Sequence, residues 1–276
     1  MPSFSGHLSL RAATRAHGRT VLAAQSFRAP YHLSKPYWDA PTRTLIVQVV
    51  NPTAGILAGD RLESEIAVAA GAALLVTTPS ASRLFHMRDG VAECRQHFTV
   101  AAGAWLEVMP EPLVPHRASR YRQVTTIEVE PGGELFFVDQ LTPGRVGHGE
   151  AWVWDRLQLE LTVRVGGELA LRERLDQSGE EMKRLAMLAG SGAAACFANA
   201  ILIAPAAAAS GDPPWRAELS TLHRDGIWVG VSALRCGGWS LKIVAPDTIR
   251  LRKTVREARR ILAGYFPRLG CDTRKL

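Results

Sequence analysis

One motif recurs four times in this sequence and limits what the chain can fold into. Val68-Gly71-Leu74, Val100-Gly103-Leu106, Val129-Gly132-Leu135 and Val163-Gly166-Leu169 each read Val-x-x-Gly-x-x-Leu, with the glycines 32, 29 and 34 residues apart. An alternating apolar run enters each glycine and another leaves it, as in Ile66-Val68 then Leu74-Val76 and Phe98-Val100 then Leu106-Val108. Alternation with a period of two puts every second side chain on one face of a strand. The turn between the runs needs a residue that tolerates positive φ, which glycine does at least cost. Each unit therefore reads as a β-hairpin or β-corner. Recurrence at ~30 residues points to strands stacked around one elongated core, as in β-helices and related solenoids. A β-sandwich of look-alike hairpins is the alternative, and the regular spacing favours the stack.

The rest of the chain fits a mainly β protein with two or three helices. Arg19–Leu22 and Thr44–Val50 read as strands before the repeats, and Ala194–Ile203, Ile227–Leu234 and Trp239–Val244 as strands after them. Glu180–Ala189 carries Met182, Leu185, Met187 and Leu188 among charges, a short helix stopped by Gly190 and Gly192. A second, amphipathic C-terminal helix starts at Asp247 or Thr248, either of which can cap it. Its apolar positions are Leu251, Val255, Ala258, Leu262 and Tyr265, and Pro267 ends it. Only Ala206–Pro214 resembles a linker, so residues 1–276 are expected to form one domain.

Composition excludes several classes. The alanine-rich run Ala193–Ala209 is broken by Asn199 and Pro205, short of the ~18 apolar residues a membrane span needs. Met1–Leu10 lacks the charged and apolar regions of a signal peptide, which predicts a cytoplasmic protein. Cys94, Cys196, Cys236 and Cys271 are scattered, with neither disulfide-framework nor zinc-finger spacing. A net charge of +7 favours an acidic partner surface without naming it. Arg250, Arg252, Lys253, Arg256, Arg259 and Arg260 crowd the C-terminal helix, but no nucleic-acid motif or aromatic interleaving accompanies them. A solvated basic face on a docked helix accounts for them, and no nucleic-acid partner is expected.

No nucleophile elbow, phosphate loop or zinc-protease motif occurs, which lowers the expectation of an enzyme. His86, His97, His116 and His148 fall in or near the connections between repeats, without the short spacing that places two imidazoles on one local face. Two loops concentrate polar residues. Asn51–Arg61 holds Pro52, Gly55, Gly59 and the pair Asp60-Arg61, so Asp60 either bonds the loop's own amides or faces a polar cavity. Pro143–Glu150 packs Gly144, Gly147 and Gly149 around Arg145, His148 and Glu150, either as a wide turn or as a close approach to a partner or ion.

At these loops the chain resembles the UreD (UreH) family of urease accessory proteins. Val49–Arg61 is similar to the family's strand followed by P-x-G-G-[IL]-x-x-G-D-x. Leu75–Phe85, with Thr77 and Thr78, is similar to its L-T-T-x-x-A-x-[KR] segment. Gly103–Pro112 is similar to G-A-x-L-E-[WY]-L-P-[QE], and Gly144-Arg145 with Gly149-Glu150 to G-R-x-x-x-G-E. The four lie in register from about residue 7 to 265. Ala54 stands where the family commonly has glycine, and Pro112–Ala118 lacks an acidic residue often found there.

The resemblance implies a β-helix-like fold and a non-enzymatic maturation factor. It implies binding to urease apoprotein on one side and to UreF, carrying the GTPase UreG, on the other. It also allows a homodimer within the accessory complex. No cofactor would be held tightly; Ni2+ would pass transiently along an internal polar route. Asp60, Glu111, Asp139 and Glu150 are the candidates for that route, with His86 and His148 as weaker ones. Gly55, Gly59, Arg61, Thr77, Thr78, Gly144, Arg145 and Gly149 are the motif residues that shape it. The alternatives are a binding β-solenoid unrelated to urease, or a metal-dependent hydrolase using His86, His116, His148 and Asp60.

Overall fold

The computed structural model describes residues 4–188, 192, 194–204 and 212–273. An N-terminal hairpin, β1 (Ser5–Thr14) and β2 (Thr20–Arg28), is followed by β3 (His32–Leu33), β4 (Tyr37–Asp39) and β5 (Thr44–Val50). Three stacked coils come next. The first is β6 (Arg61–Val68), β7 (Ala73–Thr77) and β8 (Ser82–Leu84), and the second β9 (Ala92–Val100), β10 (Trp105–Met109) and β11 (Leu113–Pro115). The third is β12 (Arg120–Val129) and β13 (Glu134–Leu141), closed by the small hairpin β14 (Gly144–Arg145) and β15 (Glu150–Ala151). After β16 (Arg156–Val165) and β17 (Glu168–Gln177) come α1 (Gly179–Leu188), β18 (Cys196–Ile203) and α2 (Pro214–Ser220). The chain then runs through β19 (Trp228–Leu234), β20 (Gly238–Ala245) and α3 (Thr248–Ala263).

The first strands of the coils lie parallel in one sheet, ordered β17-β16-β12-β9-β6-β1-β2. The second strands form the other sheet, with the path β19-β20-β18-β13-β10-β7-β5-β3. Gly71, Gly103 and Gly132 turn the chain from one sheet to the other at φ of 73°, 67° and 83°. A Cβ at Gly103 or Gly132 would meet nothing within 4 Å, so the backbone angle, and not crowding, calls for glycine there.

The repeat maps onto side-chain ladders. Val68, Val100 and Val129 stand opposite one another across three parallel strands, and Leu45, Leu74, Leu106 and Leu135 do the same in the second sheet. These rows face each other and form one buried apolar cluster. Full burial of each such aliphatic side chain contributes about 1.5–3 kcal/mol.

The fourth copy departs from the other three. Val129 pairs with Val165, while Val163 pairs with Ile127, so the motif is displaced by two residues along the stack. Gly166 then begins a hairpin within the first sheet, where β17 runs antiparallel to β16 and covers its edge. Leu169 is 47% exposed instead of joining the leucine row.

α3 begins at the Asp247 cap, whose Oδ1 accepts from the Arg250 amide at 2.7 Å. Leu251, Val255, Ala258 and Leu262 pack on the outer face of the second sheet beside Trp105 and Phe136. The helix ends at Ala263, so Tyr265 lies beyond it. Two basic residues do not belong to a solvated face: Arg259 is buried and Arg252 turns toward the sheet. The short helix α2 starts at Pro214, and residues 206–211 of the linker-like stretch lie outside the described residues. Among the described residues no helix is long and apolar enough to cross a membrane.

Candidate functional site

The facing ladders change character along the strands. Four residues before each repeat valine, the inward position is Ser64, Gln96 or Thr125, and these three stand opposite one another in the first sheet. Two residues earlier again, the row is Leu62, Cys94 and Gln123. The apolar core near the glycine corners thus gives way to a polar strip, beyond which Leu62, Ala92, Cys94, Tyr121 and Leu157 belong to a second apolar cluster. Burying hydroxyl and amide groups in the strip requires hydrogen bonds, and a side-chain chain supplies them. Tyr121 Oη donates to Gln123 Oε1 at 3.1 Å, Gln123 Nε2 to Thr125 Oγ1 at 3.3 Å, and Thr125 Oγ1 to Gln96 Oε1 at 3.0 Å.

Opposite this row, β13 contributes Asp139 four residues after Leu135. Across the second sheet Asp139 pairs with Asn199, and Asn199 with Lys242. Lys242 forms an ion pair with Glu173 of β17. Two cavities occupy the space between the sheets. One of about 220 Å3 runs from the Asn51–Ala54 and Thr78–Ser82 segments inward to Gln123 and Asp139. The other, of about 450 Å3, continues from Gln123 and Asp139 to Glu173 and Lys242. Asp139, Gln123, Gln140 and Leu113 line both.

Burial raises the Asp139 carboxyl to about 7, with Glu173 adding to the rise and Lys242 opposing it. The carboxyl therefore exchanges its proton near neutrality. In the same lining, burial pushes the Cys94 thiol up to about 11, despite hydrogen bonding to Tyr121 and Tyr31. Cys94 is thus a neutral thiol at physiological pH.

A raised folded-state pKa gives stability that is fully present below the unfolded pKa and lost as pH rises through the folded one. For Asp139 that window runs from 3.8 to about 7. Asp139→Asn should therefore flatten the fall in stability across this range and make the variant more stable than the parent at pH above about 7. Urea unfolding at a series of pH values checks this; parallel profiles for the two proteins would show that Asp139 is not buried as described.

The other sequence candidates fall in different places. Asp60 is 1% exposed and its carboxylate accepts from the Phe4 amide at 2.8 Å and the Leu57 amide at 2.9 Å. It bonds amides and lines neither cavity. Glu111 lines the first cavity, and its Oε1 accepts from Arg252 Nη2 of α3 at 2.8 Å. Glu150 is held by Arg145, whose Nε and Nη2 both donate to its Oε2 at 3.0 and 2.8 Å. This hydrogen bonding lowers its pKa. His86 and His148 are exposed. His116 is buried against Phe85, with ring centroids 4.8 Å apart. Among the described residues no group of three or more His, Cys, Asp and Glu side chains could hold a metal ion.

Of the motif residues, Gly55, Thr77 and Thr78 line the first cavity, and Gly59, Arg61, Gly144, Arg145 and Gly149 line neither. Thr77 Oγ1 donates to the Met109 carbonyl at 2.7 Å, and Thr78 Oγ1 accepts from the Glu111 amide at 2.9 Å, clipping one coil to the next. The Gly59 amide donates to the Val91 carbonyl and the Arg61 amide to the Phe4 carbonyl. A Cβ on Gly55 would lie 2.6 Å from the Arg83 carbonyl oxygen, and one on Gly144 2.4 Å from that of Glu150. Gly149, at φ 69°, ends the turn that returns Glu150 to Arg145. Sequence reasoning missed Ser64, Gln96, Gln123 and Thr125. Their signal was a polar residue in the inward phase of each repeat.

Comparison with known proteins places the chain in a family. The family model described as UreD urease accessory protein matches residues 5–274. A urease accessory protein UreD from Opitutus terrae is 68% identical over 273 residues, covering 99% of each chain. One from Yersinia enterocolitica is 41% identical over 146 residues, 52% of this chain and 45% of that protein. With its stacked β coils and a match over nearly its whole length, this chain belongs to the UreD family of urease accessory proteins and takes part in urease maturation.

Proposed function

We propose that the chain is a non-catalytic scaffold that delivers Ni2+ through its interior to urease apoprotein. In this reading urease apoprotein binds on one side and UreF, carrying UreG, on the other, in the cytoplasm. The observation that carries it is the polar strip between the sheets, where two cavities meet at Asp139. A travelling divalent cation needs oxygen ligands that bind and release it. Hydroxyl and amide oxygens on Ser64, Thr125, Gln96 and Gln123 are of that kind. A carboxyl with a pKa of about 7 adds a ligand that trades its proton for a cation at neutral pH. The net charge of +7 suits docking on an acidic surface.

The test is to fill the junction. Gln123 lines both cavities, and Gln123→Trp should obstruct the passage from within. After coexpression with urease and the other accessory proteins, the nickel content of urease should fall about tenfold or more, because a plugged constriction removes the path. Copurification with the partners should persist. Normal nickel loading by a folded, partner-bound plug variant would defeat the conduit reading.

A further inference from the structure

The polar strip ends in an ion pair. The row Ser64, Gln96 and Thr125 continues across the first sheet through Leu161 of β16 to Glu173 of β17. Leu161 belongs to the apolar cluster between the sheets, so Glu173, directly opposite it, also points inward. In the second sheet the row of Asp139 and Asn199 ends at Lys242. Lys242 Nζ donates to Glu173 Oε1 and so joins strands that belong to different sheets.

Both residues line the cavity of about 450 Å3, together with Asp139, Glu160 and Arg174. Four of these five charged residues fall into pairs, Glu173 with Lys242 and Glu160 with Arg174. Asp139 is the fifth, and both members of the first pair act on it: Glu173 raises its pKa and Lys242 lowers it. The Glu173 side chain is 22% exposed, so water screens its charge only in part. Without Lys242, two carboxylates and the Asn199 amide would face one cavity. Such a set of oxygens holds a divalent cation instead of passing it on.

We infer that Lys242 is a built-in counter-cation that keeps the second cavity from becoming a trap for divalent cations. Its ammonium neutralises Glu173, which leaves Asp139 as the carboxylate that a travelling ion meets, binds and leaves. The inference rests on the conduit reading and adds to it a residue that determines release.

Equilibrium dialysis of the untagged full chain against radiolabelled Ni2+ tests this. Lys242→Met, which keeps the side-chain length and removes the charge, should bind Ni2+ about tenfold or more tightly than the parent, because a nearby unit charge in a partly buried setting is worth at least that factor. Lys242→Gln should show the same gain, so the outcome does not hang on how well one variant folds. The double variant Lys242→Met with Glu173→Gln should return to the affinity of the parent, since the freed charge is that of Glu173. A plug at Gln123 that leaves urease loading normal would not alter this gain, and a chain without the gain can still load urease, so the two readings fail separately. Parent-like affinity in both single variants, or a gain that survives Glu173→Gln in the double variant, would overturn the inference.

Discussion

Replacing Arg259 by alanine is expected to cost about 3–5 kcal/mol of folding stability, because it strands a carboxylate inside the protein. Glu107 occupies a ladder otherwise made of Ile46, Leu75 and Phe136, on the face of the second sheet that α3 covers. Its side chain is fully buried. Arg259 answers it with a two-pronged contact, Nε to Oε1 at 2.6 Å and Nη2 to Oε2 at 3.0 Å, while Nη1 donates to the Cys271 carbonyl at 3.1 Å. Burial alone would lower the Arg259 pKa, and Glu107 reverses that, so the guanidinium stays charged. One side chain thus ties sheet, helix and C-terminal segment together. The double variant Glu107→Leu with Arg259→Met should regain most of the loss, since apolar groups of similar volume often replace a buried ion pair at little cost. Urea unfolding midpoints decide the matter. A loss under about 1 kcal/mol for the single variant would mean water reaches the pair.

The second large effect is at Asp60. Asp60→Ala leaves the Phe4 and Leu57 amides without their acceptor and should cost about 2–4 kcal/mol. The N-terminal strand and the Asn51–Asp60 loop should loosen together, giving earlier proteolytic cleavage in both. If the variant instead keeps its melting temperature but loads less nickel into urease, Asp60 handles metal and its bonds to the amides are incidental.

How much of this was legible in the sequence depends on the range of the interaction. The Val-x-x-Gly-x-x-Leu units located the corners at Gly71, Gly103 and Gly132, because alternation and a positive-φ turn are local properties. The same pattern misled at Gly166. Nothing local distinguishes a chain that crosses to the second sheet from one that folds back beside β16, and the register offset at Val165 exists only in the pairing. Strands of three residues, such as β8 and β11, carry too little alternation to be recognised and are fixed by pairing with each other. Tyr265 kept the apolar spacing of α3 although the helix had already ended.

The site was less legible than the fold. Asp139 was reached through resemblance, and its neighbours Asn199, Lys242 and Glu173 come from strands far away in sequence. For Asp60 the sequence left amide bonding and a polar cavity both open, and the positions of Phe4 and Leu57 decide where its oxygens point. Glu111 was a bare carboxylate in the sequence and a partner of Arg252, 141 residues on, in the fold.

The parallel stacking also bears on how the protein comes to exist. Parallel neighbours cannot be joined by tight hairpins, so β6 meets β9, and β9 meets β12, only after some thirty residues have been gathered in. Each closure costs chain entropy before any ladder forms, a topology associated with slow folding and prolonged exposure of sticky strand edges. The cavities between the sheets are completed last, since their walls draw on all three coils and on β18 and β20. A ribosome-bound or half-folded chain can therefore present its outer faces while still having no inside.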